Sequence, residues 1–235
     1  LYSNSGSPSL IAPRQVLNKI IKLLKENDLK AVVAPELEFY LCEKNLDPNI
    51  PLLTPVGKSG RRANGSDVFG IDSVNEFDIF LDDIYDYCEM LDIGVDTLVH
   101  ESGPSQIEIN LNHGDPLKLA DQTFMFKRAV RQVALKHGIH ATFMAKPHQG
   151  QPGSSMHIHQ NLVSTKDNKN IFTDLEGKET NNFYHYIGGL QEYLPDAMVF
   201  FAPYVNSYRR FVINSSAPIN TCLLYTSDAA DDLRG

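Results

Sequence analysis

The chain has 235 residues, 42% of them apolar, and carries 21 Lys plus Arg against 29 Asp plus Glu, a formal net charge of −8. A chain of this length buries a sizeable core in one domain or two, and its glycine, proline and charge content is typical of a globular protein. No apolar run approaches the roughly 18 residues of a membrane span, and an acidic chain without a basic stripe is a poor nonspecific nucleic-acid binder. The carboxylate excess favours one kind of partner, a hard divalent cation.

Cysteine usage and the first residues indicate the compartment. Cys42, Cys88 and Cys222 are an odd number of cysteines without metal-ligand spacing, so we expect neither a disulfide framework nor a zinc site. We therefore predict a reducing, cytoplasmic environment. Residues 1–9 show no initiator Met, basic stretch or apolar stretch, so no signal peptide is recognised there, and we expect the chain to be incomplete.

Hydrophobic spacing divides the chain into helices and strands. A helix is predicted at 14–27, and residues 31–41 then alternate between apolar and polar side chains, as a strand does. After a long loop at 43–66, the pattern predicts a helix at 75–91, a hairpin of strands at 96–101 and 106–111, a helix from 116 to 137, strands at 139–145 and 155–162, and a helix at 181–193. The pattern alone therefore predicts an α+β domain with a largely antiparallel sheet.

Three of the predicted strands carry a polar face made of carboxylate, imidazole and amide groups. Because successive side chains of a strand point to opposite faces, the residues that share these polar faces are Glu36 with Glu38, Glu108 with Asn110 and Asn112, and His157 with His159 and Asn161, none of them Lys or Arg. A sheet with one solvated face is the simplest interpretation of any single strand. Solvated faces usually mix both charge signs, however, and like charges opposite each other destabilise a sheet unless something neutralises them.

The three faces together indicate a metal site. Glu101 lies just across the hairpin turn from Glu108, which adds a further carboxylate. Carboxylate oxygens with one imidazole are ligands for Mg²⁺ or Mn²⁺ rather than for a thiolate-bound metal. The hypothesis is a divalent metal site lined by Glu36, Glu38, Glu101, Glu108 and His157.

A short basic element late in the chain could meet an anion. Arg209 and Arg210 lie in the run NSYRRF at 206–211, and the guanidinium fork of arginine binds carboxylate or phosphate. The alternative is a pair of surface arginines. The QPGSS loop at 151–155 could bring backbone N–H groups towards the same anion.

The remaining aromatic side chains and histidines have no spacing that indicates a site. We expect the Tyr and Phe residues between 183 and 211 to be core, because their spacing is helical or mixed. The remaining histidines are expected to be ordinary surface or packed residues: His100, His113, His137, His140, His148 and His185.

Several of these motifs, taken in order, resemble the glutamine synthetase family. The runs are APELEFY at 34–40, Glu101 followed by Glu108, TFMAKP at 142–147, GSSMHIH at 153–159 and NSYRR at 206–210. Ordered motifs over residues 13–221 form a far more specific signal than any one of them alone. The resemblance implies a curved sheet, a half-barrel backed by helices, in ring-shaped homo-oligomers whose sites are shared between subunits.

The resemblance also implies roles for individual residues. Glu38, Glu101 and Glu108 would hold one Mg²⁺ or Mn²⁺, and Glu36 with His157 would hold a second. His159 and Asn161 would lie near ATP, while Gly153 and Arg210 would lie at the side of glutamate and the transferred phosphoryl group, with Arg210 stabilising charge there. The implied reaction is an ATP-dependent ligation, in which the γ-carboxylate of glutamate becomes a γ-glutamyl phosphate that an amine attacks.

Two departures from the family pattern bear on the amine. Ser216 stands where typical glutamine synthetases have a glutamate of the ammonium site, and Pro152 stands where an Asn is expected. Both resemble the branch that joins glutamate to larger amines, the γ-glutamylputrescine or γ-glutamylpolyamine synthetases. We therefore expect an amine such as putrescine first, ammonium second, and a noncatalytic structural relative as the alternative.

The ends of the chain depart from the family pattern as well. We expect residues 1–12 to be a partial lead-in and 13–221 to be a truncated catalytic domain, and we expect the fragment to be inactive by itself. Residues 222–235 do not resemble the family and are expected to be foreign to it.

Overall fold

The computed structural model describes residues 2, 4–212 and 217. Its elements, in chain order, are α1 (Pro13–Glu26), β1 (Leu29–Glu43), α2 (Ile71–Asn75), α3 (Asp78–Met90), β2 (Val95–His100), β3 (Gln106–Leu111), α4 (Pro116–Lys136), β4 (Ile139–Thr142), β5 (Met156–Ser164), α5 (Asn181–Phe201) and α6 (Val205–Tyr208). The predicted tail at 222–235, with Cys222, and the predicted departure at Ser216 lie outside the described residues.

The long strand β1 organises the sheet. The strand order is β2-β3-β1-β4, β5 also pairs with β1, and each pairing is antiparallel. Glu36 pairs with Asn110 of β3 and with His157 of β5, so these two strands flank β1 on opposite sides. Tyr40 pairs in the same way with β3 and with β4. Strands β5 and β4 therefore follow each other along one side of β1, and the open antiparallel sheet confirms the predicted α+β class.

The hydrophobic core lies between one face of this sheet and helices α3 and α4. The side chains that form it come from alternate positions of the strands and from one stripe of each helix; they include Leu37, Phe39, Leu41, Ile107, Ile109, Leu111, Phe80, Ile84, Phe126 and Val130. Helix α4 begins at Pro116, where Asp115 accepts hydrogen bonds from the backbone N–H groups of Leu117 and Lys118. It ends before Gly138, whose φ of +76° suits glycine. This packing leaves the opposite face of the central strands to polar side chains.

Several predicted boundaries differ from the structure. The predicted helix at 75–91 is α3, which begins at Asp78 after the separate short helix α2, and the predicted strand at 139–145 ends at Thr142. The Thr142 hydroxyl accepts a hydrogen bond from the backbone N–H of Met144, which turns the chain out of the ladder. Helix α5 runs to Phe201 rather than to residue 193, because it continues through Pro195.

The aromatic residues of 183–211 are not core, and that prediction was wrong. Helix α5 has no buried residue, and Phe200, Tyr204 and Tyr193 are 81%, 73% and 70% exposed. Phe183 contacts Phe172 at a ring-centroid distance of 6.0 Å, but Phe200 and Phe201 in the second half of α5 are largely exposed. Apolar spacing identifies the apolar stripe of a helix and not its cover.

Candidate active site

The carboxylates of the predicted polar face are buried. Glu36 and Glu108 are 5% exposed and Glu38 is 9% exposed, while Glu101 is half-buried. The register brings them together, because Glu38 pairs with Glu108 across β1 and β3, and Glu36 pairs with His157 across β1 and β5. The alternative interpretation of the sequence was a sheet face exposed to solvent, and the burial of Glu36, Glu38 and Glu108 rules it out.

Glu36 is held by two imidazoles of β5. His157 donates from Nδ1 to Glu36 Oε1 over 3.0 Å, and His159 donates from Nε2 to Glu36 Oε2 over 2.8 Å. The hydrogen bond from His157 is the main cause of a lowered pKa at Glu36, and the same bond raises the pKa of His157. Both histidines come from one strand face because they are two residues apart.

Glu108 and Glu101 carry the opposite shift. Burial, followed by the hydrogen bond and the charge of Glu36, raises the pKa of Glu108 to about 9. Burial and the charge of Glu38 raise the pKa of Glu101. At this buried position the charges of Glu36 and Glu38 thus disfavour the ionisation of Glu108 and Glu101.

Glu38 is oriented by three donor groups, which belong to the residues Gln106 and Ser155. Gln106 donates from Nε2 to Glu38 Oε2 over 3.0 Å, and the backbone N–H of Ser155 donates to the same oxygen over 3.1 Å. The hydroxyl of Ser155 donates to Glu38 Oε1. The carboxylate of Glu38 therefore has a fixed direction before any ligand arrives.

Gly153 and Arg210 are in contact beside these carboxylates. A Cβ built on Gly153 would lie 2.7 Å from the carbonyl oxygen of Ala145 and 2.8 Å from the side chain of Arg210. The guanidinium is largely buried, which lowers its pKa, and the negative charge of Glu38 opposes that shift. Arg210 is therefore directed towards the acidic face and is not one of a pair of surface arginines.

Asn206 fixes the segment that carries Arg210. Its Oδ1 accepts a hydrogen bond from the backbone N–H of Lys146 over 2.7 Å, and its Nδ2 donates to the carbonyl oxygen of Lys146 over 2.9 Å. The amide of Asn206 thus satisfies both backbone groups of one residue and joins α6 to the loop that carries Gly153.

The predicted ATP-side residues lie at the open edge of the sheet. His159 and Asn161 are exposed, and Asn161 Oδ1 accepts a hydrogen bond from Asn170 Nδ2 over 2.9 Å. The other face of β5 is also only partly covered, since Met156 is 47% exposed. The ATP roles of His159 and Asn161 stay predictions.

The metal ligands also stay predictions. Within residues 4–212, no group of three or more His, Cys, Asp or Glu side chains is arranged to hold a metal ion as it stands. The oxygens of Glu36 are engaged by His157 and His159, and those of Glu38 by Gln106 and Ser155. The donor set nevertheless fits a hard cation, because buried carboxylates crowd one face, where burial and neighbouring negative charge raise the pKa of Glu101 and Glu108.

Sequence reasoning missed the side chains that orient the carboxylates. Gln106, Ser155 and Tyr40 lie around Glu38, and the Tyr40 hydroxyl donates to the carbonyl oxygen of Pro152 over 2.9 Å. One signal was available, because Gln106 shares the strand face of Glu108 two residues away. The contacts of Ser155 and Tyr40 join segments far apart in the chain, and no local pattern shows them.

The family model for the glutamine synthetase catalytic domain matches residues 10–227. The γ-glutamylputrescine synthetase PuuA of Escherichia coli K12 is 38% identical over 213 residues, which cover 90% of this chain and 45% of that protein. The glutamine synthetase of Pyrococcus abyssi is 35% identical over 214 residues, which cover 91% of this chain and 46% of that protein. The chain thus spans just under half the length of these curated relatives.

Solved structures give the same fold. A GmaS/ADP complex superposes with a TM-score of 0.72 at 29% identity, over 91% of this chain and 47% of that one. A cryo-EM structure of Plasmodium falciparum glutamine synthetase superposes with a TM-score of 0.78 at 22% identity, over 91% and 46%, which supports the fold alone. Among the described helices, none has the length and apolar character needed to cross a membrane.

Proposed function

The chain belongs to the glutamine synthetase family, and we propose that it forms the cation-binding and glutamate-binding part of a ligase that uses ATP to join the γ-carboxylate of glutamate to an amine. Members of this family are ATP-dependent ligases. The observation that carries the proposal is the buried acidic face of Glu36, Glu38 and Glu108 with Arg210 directed towards it. Burying three carboxylates together is costly, so a bound group that offsets their charge is the simplest reason to keep them.

The cation would be Mg²⁺ or Mn²⁺, held by Glu38, Glu101 and Glu108 at one position and by Glu36 with His157 at a second. When bound, such ions neutralise charge on phosphate oxygens and polarise them as Lewis acids. The hydrogen bonds from Gln106 and Ser155 hold Glu38 in one orientation, so little reorganisation is needed on binding.

The proposed reaction has two successive steps, a phosphoryl transfer and an acyl transfer, and the protein's side chains would assist both. In the first, an oxygen of the glutamate γ-carboxylate attacks the γ-phosphorus of ATP and the bond to ADP breaks. In the second, the amine attacks the acyl carbon of the γ-glutamyl phosphate, phosphate leaves, and the nitrogen loses a proton. Arg210 would stabilise negative charge on the transferred group, and Gly153 lets the arginine approach because it has no Cβ. His159 and Asn161, exposed at the rim, would contact ATP.

The amine we propose is an alkylamine such as putrescine. The relative at 38% identity is a γ-glutamylputrescine synthetase, and Pro152 stands where typical glutamine synthetases have Asn. Ammonium is the second candidate, because the Pyrococcus abyssi glutamine synthetase is 35% identical. We further propose a cytoplasmic enzyme in a ring-shaped homo-oligomer; the free thiols of Cys42 and Cys88 are compatible with a reducing compartment.

Turnover by the full-length protein tests the proposal. Purified protein is given ATP, Mg²⁺, glutamate and, in separate reactions, putrescine, longer polyamines, methylamine or ammonium; phosphate release and product mass are measured. We expect amine-dependent phosphate release and a γ-glutamylamine product, with putrescine giving the higher kcat/KM. A preference for ammonium would reject the alkylamine assignment, and no turnover with any amine would favour a noncatalytic relative.

A further inference from the structure

Gln106 is a fully buried amide at the junction of three segments. It is 0% exposed and occupies the first position of β3, opposite Tyr40 of β1. Its Oε1 accepts a hydrogen bond from the backbone N–H of Gly103 over 2.9 Å. Its Nε2 donates to Glu38 Oε2 and to the carbonyl oxygen of Gly153, each over 3.0 Å. One side chain therefore contacts the hairpin turn, a candidate ligand carboxylate and the candidate substrate loop.

Both the amino group and the oxygen of this amide form hydrogen bonds. The two hydrogens of its NH₂ group point to Glu38 and Gly153, with Ser154 Oγ as a further, longer contact at 3.3 Å. Replacing such a buried group leaves its partners without hydrogen bonds, which costs more than the net value of the bonds themselves. An amide that served only to fill space at this position could be replaced by an apolar residue of the same shape.

The same hydrogen bonds restrict what Glu38 can offer a ligand. An ionised carboxylate has about four lone-pair positions. On Glu38, Oε2 accepts from Gln106 and from the backbone of Ser155, and Oε1 accepts from the Ser155 hydroxyl. Counting the hydrogen bonds from the described residues, one position remains, on Oε1, and its direction is set by the donors that occupy the other three.

We propose that Gln106 is a positioning residue, which directs the remaining lone pair of Glu38 and fixes the distance between that carboxylate and the Gly153 loop. This assignment rests on the proposed function. The turn from Gly103 to Ser105, which contacts Gln106, is tightly packed. A Cβ on Gly103 would lie 1.8 Å from Tyr40 Oη, and Ser105 has a φ of +60°. The turn therefore has little freedom to move away from Gln106.

The test compares Mn²⁺ binding by the full-length protein and its variants. Gln106→Glu keeps the acceptor for Gly103 but replaces the two donors by an oxygen facing Glu38; Gln106→Leu removes all the hydrogen bonds. Calorimetry below the unfolding temperature of each variant should show a loss of Mn²⁺ affinity of about 10- to 100-fold, the usual effect of removing a residue that orients a metal ligand. KM for glutamate should rise in the same variants, because the Gly153 carbonyl loses its anchor.

Thr180→Ala is the control. Thr180 caps helix α5 and its hydroxyl donates to the carbonyl oxygen of Ile171 over 2.5 Å, away from the turn, from Glu38 and from Gly153. This variant should lose stability while keeping the wild-type Mn²⁺ affinity. If both Gln106 variants and the wild type bind Mn²⁺ within about twofold of one another, the positioning role is wrong and the proposed function stands. If the wild type itself binds no Mn²⁺, both are wrong.

Discussion

The two faces of β1 are equally buried and chemically opposite. Leu37 and Phe39 are 1% and 0% exposed and lie against α3 and α4, whereas Glu36 and Glu38 on the other face are 5% and 9% exposed. Apolar contacts stabilise the first face in proportion to the area removed from water. Hydrogen bonds to the carboxylates stabilise the second face only modestly, because each replaces a bond to water. Both faces are buried, so the chemistry of the residues distinguishes them: the apolar face is the hydrophobic core and the acidic face is the candidate site.

The energetic difference between the faces suggests why the polar one is retained. A fold selected for stability alone would place apolar residues on both sides of a central strand. Glu108 and Glu101 instead have raised pKa values, because each is buried near other carboxylates. Local conflicts of this kind are typical of functional sites.

Phe39→Ala should have the largest effect on stability and none on cation binding. Phe39 is fully buried and its ring lies 5.2 Å from that of Phe143, so its removal should lower the free energy of unfolding by about 3–5 kcal/mol. Urea unfolding of the full-length protein measures it. Phe124→Ala, at a position 71% exposed, is the control and should change stability by less than about 0.5 kcal/mol. Equal effects of the two substitutions would contradict the assignment of the core face.

Glu108→Gln should raise the stability of the metal-free protein, whereas Phe39→Ala lowers it. Because burial, more than any other cause, raises the pKa of Glu108 to about 9, the folded state keeps this carboxyl protonated at neutral pH while the unfolded chain ionises it, which lowers stability; Gln cannot ionise, so the thermal midpoint in EDTA should rise. At 100 times its dissociation constant, Mn²⁺ should stabilise the wild type by about 2.7 kcal/mol, and the variant should lose most of this gain. Glu89→Gln, on the exposed side of α3, should behave as the wild type does. A variant that is stabilised by Mn²⁺ as strongly as the wild type would show that Glu108 is not a ligand.

Gly153→Ala tests the loop beside the polar face. The new Cβ would lie 2.7 Å from the carbonyl oxygen of Ala145, so the loop and Arg210 have to move apart, at a cost of about 1–3 kcal/mol. KM for glutamate should rise, and this rise, converted to a free energy, should exceed the loss in the free energy of unfolding. Gly65→Ala is the control, because nothing lies within 4 Å of its Cβ position. Unchanged glutamate kinetics in the Gly153 variant would place glutamate elsewhere.

Asp83→Asn should have the smallest effect, a slight loss of stability above pH 3.8 that disappears in acid. Lys136 donates to Asp83 over 2.8 Å and His137 over 2.7 Å, and these bonds lower the pKa of Asp83 below its usual 3.8. A lowered pKa in the folded state adds stability above pH 3.8 that is lost as the pH falls through the folded value. The variant should therefore unfold with a slightly shallower dependence on pH in acid, as followed by circular dichroism. Asp82→Asn, at an exposed neighbouring position, should match the wild type, and an identical response of both variants would contradict the role of the ion pair.

Much of the site was predictable from alternation along single strands. Glu36 with Glu38, and His157 with His159, share faces because residues two apart in a strand always do. The order of the motifs indicated the family, and the family match confirms it. Helix ends were predictable where a proline or a glycine marks them, as at Pro116 and Gly138.

Other features depend on contacts between distant parts of the chain. The sequence did not predict that Gln106 and Ser155 orient Glu38, because those hydrogen bonds span 68 and 117 residues. It also predicted core positions for aromatic residues of α5 that are exposed, since a helical stripe carries no information about what covers it.

The sequence by itself determined the strand faces, the acidic donor set and the family. Only the tertiary structure decided that the acidic face is buried, which donors hold Glu36 and Glu38, and that the side chain of Arg210 lies close to Gly153 and to the charge of Glu38. The physical reason is that alternation and propensity are local properties of the chain, whereas burial, hydrogen-bond partners and pKa shifts depend on which strands and loops become neighbours after folding.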